Sequence, residues 1–229
     1  MALAPGETSE TFIREVDENL RRDQAEAVFK RYGKLFIAAA VLLLLAVGGY
    51  LFWQNRQTEK AAANSETFSA ILEDVGKRNT ATAPQRLDAL AADANGSMTG
   101  AARLTRAALA LQNGDRQTAI AQYREIAAND DIPQTYRDSA TIRLTQLEYD
   151  TLKPADVIAR LQPLAVKDNA WFGTAGELTA LAMIKSNRRQ EAATLLTAIA
   201  GEKSVPETIR ARAGELASGL SIPAAPAAR

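Results

Sequence analysis

The chain has no cysteine and no histidine among its 229 residues. Their absence removes thiolate nucleophiles, disulfides, zinc sites built on Cys or His, Ser-His-Asp triads and imidazole proton shuttles together. It also removes the acylated cysteine of a lipoprotein anchor. There is no charge excess either: 27 basic and 27 acidic residues cancel, so no large positive surplus draws the chain onto nucleic acid. No glycine-rich phosphate loop is present, since Lys185-Ser186 and Lys203-Ser204 lack the spaced glycines such a loop needs. These absences point away from catalysis, and no cofactor or metal is expected.

One long apolar run is present. The stretch LFIAAAVLLLLAVGGYLFW, Leu35 to Trp53, carries no charge, and as a helix it spans ~28 Å, the thickness of a bilayer's hydrocarbon core. Tyr50, Phe52 and Trp53 then lie at one interface, where amphipathic rings prefer to sit. Arg14, Arg21, Arg22, Lys30, Arg31 and Lys34 precede the run, whereas only Arg56 and Lys60 closely follow it. This asymmetry predicts a cytoplasmic N-terminus and places the following domain across the membrane, in the periplasm of a Gram-negative cell. A cleavable signal peptide is the competing reading, with Ala61-Ala62-Ala63 as its cleavage site. The apolar run is too long for it, and the preceding segment too long and too acidic. Residues 1–34 read as a cytoplasmic arm with an amphipathic helix, Phe12, Val16 and Leu20 sharing one face.

Beyond the anchor the chain is rich in Ala, Leu, Gln, Arg and Glu and punctuated by Gly, Asn and Pro, the composition of many medium-length helices. Helices are predicted near 54–75, 84–93, 99–112, 116–128, 133–151, 155–166, 171–185, 189–200 and 206–218. Shifted by 73 positions, the chain matches itself: Ala102 meets Ala175, Ala107 meets Ala180, Arg116 meets Arg189, Ala119 meets Ala192, Ile126 meets Ile199, and Pro133 meets Pro206. Two units of about 36 residues explain the shift, a period close to that of a tetratricopeptide helix pair. Between the matching copies, Val157 and Leu164 fill the equivalent small and apolar places. Gly114 and Asn187 suit turns that need a left-handed backbone, and Ala107, Ala119 and Ile126 suit close helix contacts. The expected fold is all-α: a transmembrane helix at 35–53, a tetratricopeptide-like solenoid over 54–220 and a Pro-Ala-rich disordered tail at 221–229.

In such a solenoid the first helices of successive pairs line an inner groove, where partners dock. Here the lining is Ala101, Leu104, Ala108 and Leu111, then Ser139, Ile142, Gln146 and Tyr149, then Thr174, Glu177, Leu181 and Ile184. The groove is mostly apolar. It is either an open protein-binding site or a surface covered by neighbouring helices, including the last one. Arg103, Arg106, Arg137, Arg143 and Arg210 read as solvated faces paired with nearby carboxylates rather than as an anion stripe. Asp115, Asp130, Asp131, Glu148 and Asp150 suit helix ends and caps better than acid-base work.

The order of features resembles a known family. The segment VFKRYGKLFIAAAVLLLLAVGGYLFWQ, followed by AAANSETFSAIL and tetratricopeptide-like pairs, is similar to the YfgM-type ancillary subunit of the SecYEG translocon. The resemblance runs along the chain up to the tail and is most specific at Tyr32-Gly33-Lys34 and Trp53. It implies a non-enzymatic inner-membrane protein associated with SecYEG and with a PpiD-like chaperone, assisting secretory proteins that emerge into the periplasm. A scaffold for cell-envelope biogenesis or division proteins is the alternative.

Overall fold

The computed structural model describes residues 7–221, with side chains from Lys30 to Leu220. The amphipathic face expected on Phe12, Val16 and Leu20, and the tail beyond Ser221, lie outside the described residues. The described elements are all helices: α1 (Glu7–Gly76), α2 (Ala83–Asp93), α3 (Gly96–Gln112), α4 (Arg116–Ala128), α5 (Gln134–Glu148), α6 (Pro154–Leu161), α7 (Phe172–Lys185), α8 (Arg189–Gly201) and α9 (Glu207–Ser221). The chain divides into two units, 1–61 and 62–229.

The first unit holds the apolar run within α1. Its side chains are bare: Leu35 is 66% exposed, Leu44 71% and Trp53 59%. A core helix of a soluble domain would bury this surface, because each large apolar side chain gains ~1.5–3 kcal/mol on leaving water. Among the described residues, this is the one helix long and apolar enough to cross a membrane.

The second unit starts within α1, whose last turns pack Ile71, Phe68 and Val75 against Leu87, Leu90, Ala102 and Leu109. Asp74 and Arg86 join the end of α1 to α2 at 2.5 Å. The end of α1 with α2 therefore forms a first helix pair, followed by α3–α4, α5–α6 and α7–α8, with α9 closing the last. Three of the four first helices end alike. Arg78, Gly114 and Asn187 have φ of 63°, 82° and 62°, and the next N–H in each case bonds back five residues, Asn79 to Asp74, Asp115 to Ala110 and Arg188 to Met183. This left-handed cap satisfies carbonyls that a helix end leaves open. Gly114 and Asn187 were legible as such caps. Arg78 was not, because an arginine carries no signal for a left-handed backbone.

The 73-residue shift is a packing identity as well as a sequence match. Ala102 and Ala175, Ala107 and Ala180, Ala119 and Ala192, Ile126 and Ile199, and Ala140 and Ala213 are each at most 1% exposed. Alanine at these positions lets paired backbones approach, and the isoleucines fill the space beyond.

The middle pair departs from the others. Its second helix, expected over 155–166, stops at Leu161. Pro163 lies two residues beyond; it has no N–H to continue the helical ladder, and its ring crowds the preceding turn. The segment after it is irregular, with Asp168 at φ 74°, yet Leu164 stays buried at 6%.

Candidate protein-binding face

The first helices of successive pairs touch: α3 meets α5, α5 meets α7, and α7 meets α9, whereas α4, α6 and α8 do not meet one another. The inner side of the solenoid is therefore built from α3, α5, α7 and α9. Of the predicted lining, Ala108, Leu111 and Gln146 are exposed, and Leu104, Tyr149, Leu181 and Ile184 are half-buried. Ile142 is only 3% exposed and packs with Val157, Ile158 and Leu161 of α6. It is core, out of reach of a partner. Glu177 is also buried, at 9%. Its carboxylate accepts from Arg212 on α9, through Nη2 at 2.5 Å and through Nε. Ion pairing to Glu177 raises the Arg212 guanidinium above its ordinary pKa. The last helix thus does reach over the inner side at this point, while Ala108 and Leu111 of α3 remain open.

Tyr149 ends the α5 contribution. Lys185 lies 4.3 Å above its ring and 3.4 Å from Asp150, tying α7 to α5. Burial, helped by the Asp150 charge, raises the Tyr149 phenol, whose buried oxygen has no hydrogen-bond partner.

The charged side chains mostly hold helices together. Arg103 meets Glu125 at 2.6 Å, Arg106 meets Asp88 at 3.4 Å, and Arg137 pairs with Asp130. Asp115 caps α4 by accepting from the Thr118 N–H at 3.0 Å, and hydrogen bonding from the Thr118 hydroxyl, together with that from its N–H, lowers the Asp115 carboxyl pKa. Glu148 accepts from Arg124 of α4 at 2.5 Å and from Arg160 of α6 at 2.7 Å. Burial alone would push its carboxyl up, but the two arginines outweigh that and hold it below the usual glutamate range. No group of three or more acidic side chains with metal-holding geometry occurs among the described residues.

Two features escaped the sequence reading. Arg212 was not connected to Glu177, 35 positions away. Gly100 and Gly173 were not recognised as close-approach positions, although the same 73-residue shift relates them. A Cβ on Gly100 would lie 2.6 Å from Tyr136 Cγ, and one on Gly173 would lie 2.7 Å from Val205 Cγ1.

A family described as tetratricopeptide repeat-like domain matches residues 27–208. The chain belongs to that family. No curated protein and no solved structure matches it. The tetratricopeptide-like match takes in the apolar run as well as the helix pairs, so both fall within one family unit. Tetratricopeptide-like domains are protein-interaction scaffolds: stacked pairs expose an extended inner surface, and recognition is by contact rather than by chemistry.

Proposed function

We propose that the chain is a single-pass inner-membrane protein with a cytoplasmic N-terminus and a periplasmic repeat domain, acting as an accessory of the Sec translocon. The observation that carries this reading is the bare apolar surface of Leu35 to Trp53 on a chain whose family is tetratricopeptide-like. The basic residues before the run support the orientation. The similarity of the N-terminal third to YfgM-type subunits supports the choice of SecYEG and a PpiD-like chaperone as partners.

The mechanism is proximity. A membrane tether raises the local concentration of the binding face near the channel exit to the order of mM, so a weak contact with an emerging chain becomes effectively intramolecular. Arg143 and Gln146 on α5 and Leu111 on α3 are exposed positions suited to photo-crosslinkers. Crosslinking in intact membranes is expected to capture channel subunits, the chaperone or nascent secretory chains. Capture of cell-wall enzymes alone would replace this reading with the envelope scaffold.

A further inference from the structure

The chain contains two Asn-Gly pairs, Asn95-Gly96 and Asn113-Gly114, one at each end of α3. Glycine leaves the main-chain nitrogen that follows an asparagine uncrowded, because no Cβ stands beside it. That nitrogen can attack the asparagine side-chain carbonyl carbon. The N–Cγ bond forms, the Cγ–Nδ2 bond breaks, and ammonia departs with the proton of the glycine N–H, leaving a cyclic imide, a succinimide. Water then opens the imide. Addition at Cγ yields aspartate, and addition at the main-chain carbonyl carbon yields isoaspartate, whose chain runs through Cγ. One water enters and one ammonia leaves, with no oxidation or reduction.

The fold treats the two pairs differently. Asn113-Gly114 is locked into the left-handed cap of α3: the Gly114 N–H donates to the Leu111 carbonyl at 3.0 Å, and the Asp115 N–H to that of Ala110 at 2.9 Å. Asn113 has ψ 6°, which at an L-configured Cα turns the Gly114 nitrogen away from the Asn113 side chain.

Asn95-Gly96 carries none of these restraints. Asn95 is exposed, has φ −136° and ψ 167°, and makes no side-chain capping bond to α3. At that ψ the Gly96 nitrogen stands gauche to the Asn95 side chain. Gly96 is the first residue of α3, where N–H groups have no partner inside the helix, and no other described group accepts from it. Its φ is 55°, and nothing lies within 4 Å of where its Cβ would be. The imide therefore has room to form without displacing a neighbour.

We propose that Asn95 is a site of spontaneous modification, converting through the succinimide to aspartate and isoaspartate, while Asn113 in the same folded chain is protected. The isoaspartate product lengthens the junction between α2 and α3 by one main-chain carbon, next to the contacts of Leu87 and Leu90 with Ala102. The inference concerns the chain's own chemistry and stands apart from the translocon reading.

The test holds the full-length protein in mild detergent at mildly alkaline pH, where an amide nitrogen loses its proton more readily, and follows it over days by tryptic peptide mass spectrometry. Cleavage at Arg86, Arg103, Arg106 and Arg116 puts the two asparagines on separate peptides, 87–103 and 107–116. The peptide with Asn95 is expected to convert about tenfold faster than the peptide with Asn113, or more, and electron-transfer fragmentation should identify isoaspartate in it. In guanidinium the two rates should converge, because both pairs then lose their structure. Asn95→Gln should abolish the product at this position and leave the Asn113 rate unchanged. Equal rates in the folded protein, faster conversion at Asn113, product retained in Asn95→Gln, or product without isoaspartate would overturn the site. A difference that persists unchanged in guanidinium would overturn its origin in the fold.

Discussion

Gly100→Ala is expected to destabilise the domain, against the ordinary preference of a helix for alanine. In an unobstructed helix interior the change gains ~1 kcal/mol. At Gly100 the new methyl would stand 2.6 Å from Tyr136 Cγ, 2.9 Å from Cδ2 and 3.0 Å from Cβ. These atoms are the root of the ring, so no rotation of the side-chain end relieves the clash, and α3 and α5 must part. Overpacking of this kind costs ~1–3 kcal/mol, and its upper range leaves a net loss of ~1–2 kcal/mol. For a domain of this size each kcal/mol shifts Tm by about 2–4 °C. Thermal unfolding of the full-length protein, followed by far-UV circular dichroism, should therefore show a Tm lower by about 2–8 °C. Gly176→Ala is the internal control. Its Cβ would meet Ile199 Cδ1 at 2.7 Å, but that atom is the end of a side chain that can turn away, so the variant should be neutral or slightly more stable. If Gly100→Ala proves as stable as Gly176→Ala, the close approach of α3 and α5 is not what the glycine serves.

Other perturbations separate core from surface. Ile142→Ser should cost ~3–4 kcal/mol in denaturant unfolding, because it opens a cavity and buries a hydroxyl, whereas Leu111→Ser, at 38% exposed, should cost little. A double-mutant cycle on Glu177 and Arg212 should return a coupling of ~1–2 kcal/mol, discounted because Arg212 is 55% exposed; zero coupling would mean that α9 is held by its apolar contacts alone. The folded chain holds Glu148 below its ordinary value of 4.5. Ionised Glu148 thus stabilises the fold above that value, and the contribution is lost as pH falls through the lowered one. Glu148→Gln should flatten the acid side of the stability profile, and an unchanged profile would remove the two-arginine clamp as its cause.

The legible parts of the fold are those set by periodicity and local chemistry. The apolar run, the left-handed turns at Gly114 and Asn187 and the small-residue contacts at Ala107 and Ala119 all carry their signal in residue type and spacing. The fate of the inner face does not. Ile142 and Leu111 are both aliphatic and both belong to the expected inner lining of first helices, yet one is core and the other exposed. The difference arises because α6 packs Val157 and Leu161 against Ile142. The early stop of α6 could have been read from Pro163. The ion pair from Glu177 to Arg212 could not, since it depends on how α9 lies on α7.

Pro133 and Pro206 stand at equivalent junctions, each leading into a helix that packs in the same way on the one before it. The segment from Pro133 to Val205 is consequently a cassette whose entry and exit present matching seams. Splicing in a second cassette in frame should lengthen the array without inventing a new interface, and excising the existing one should shorten it by the same step. The chain thus carries, in its own repetition, a ruler by which its reach could be changed while its joints stay the same.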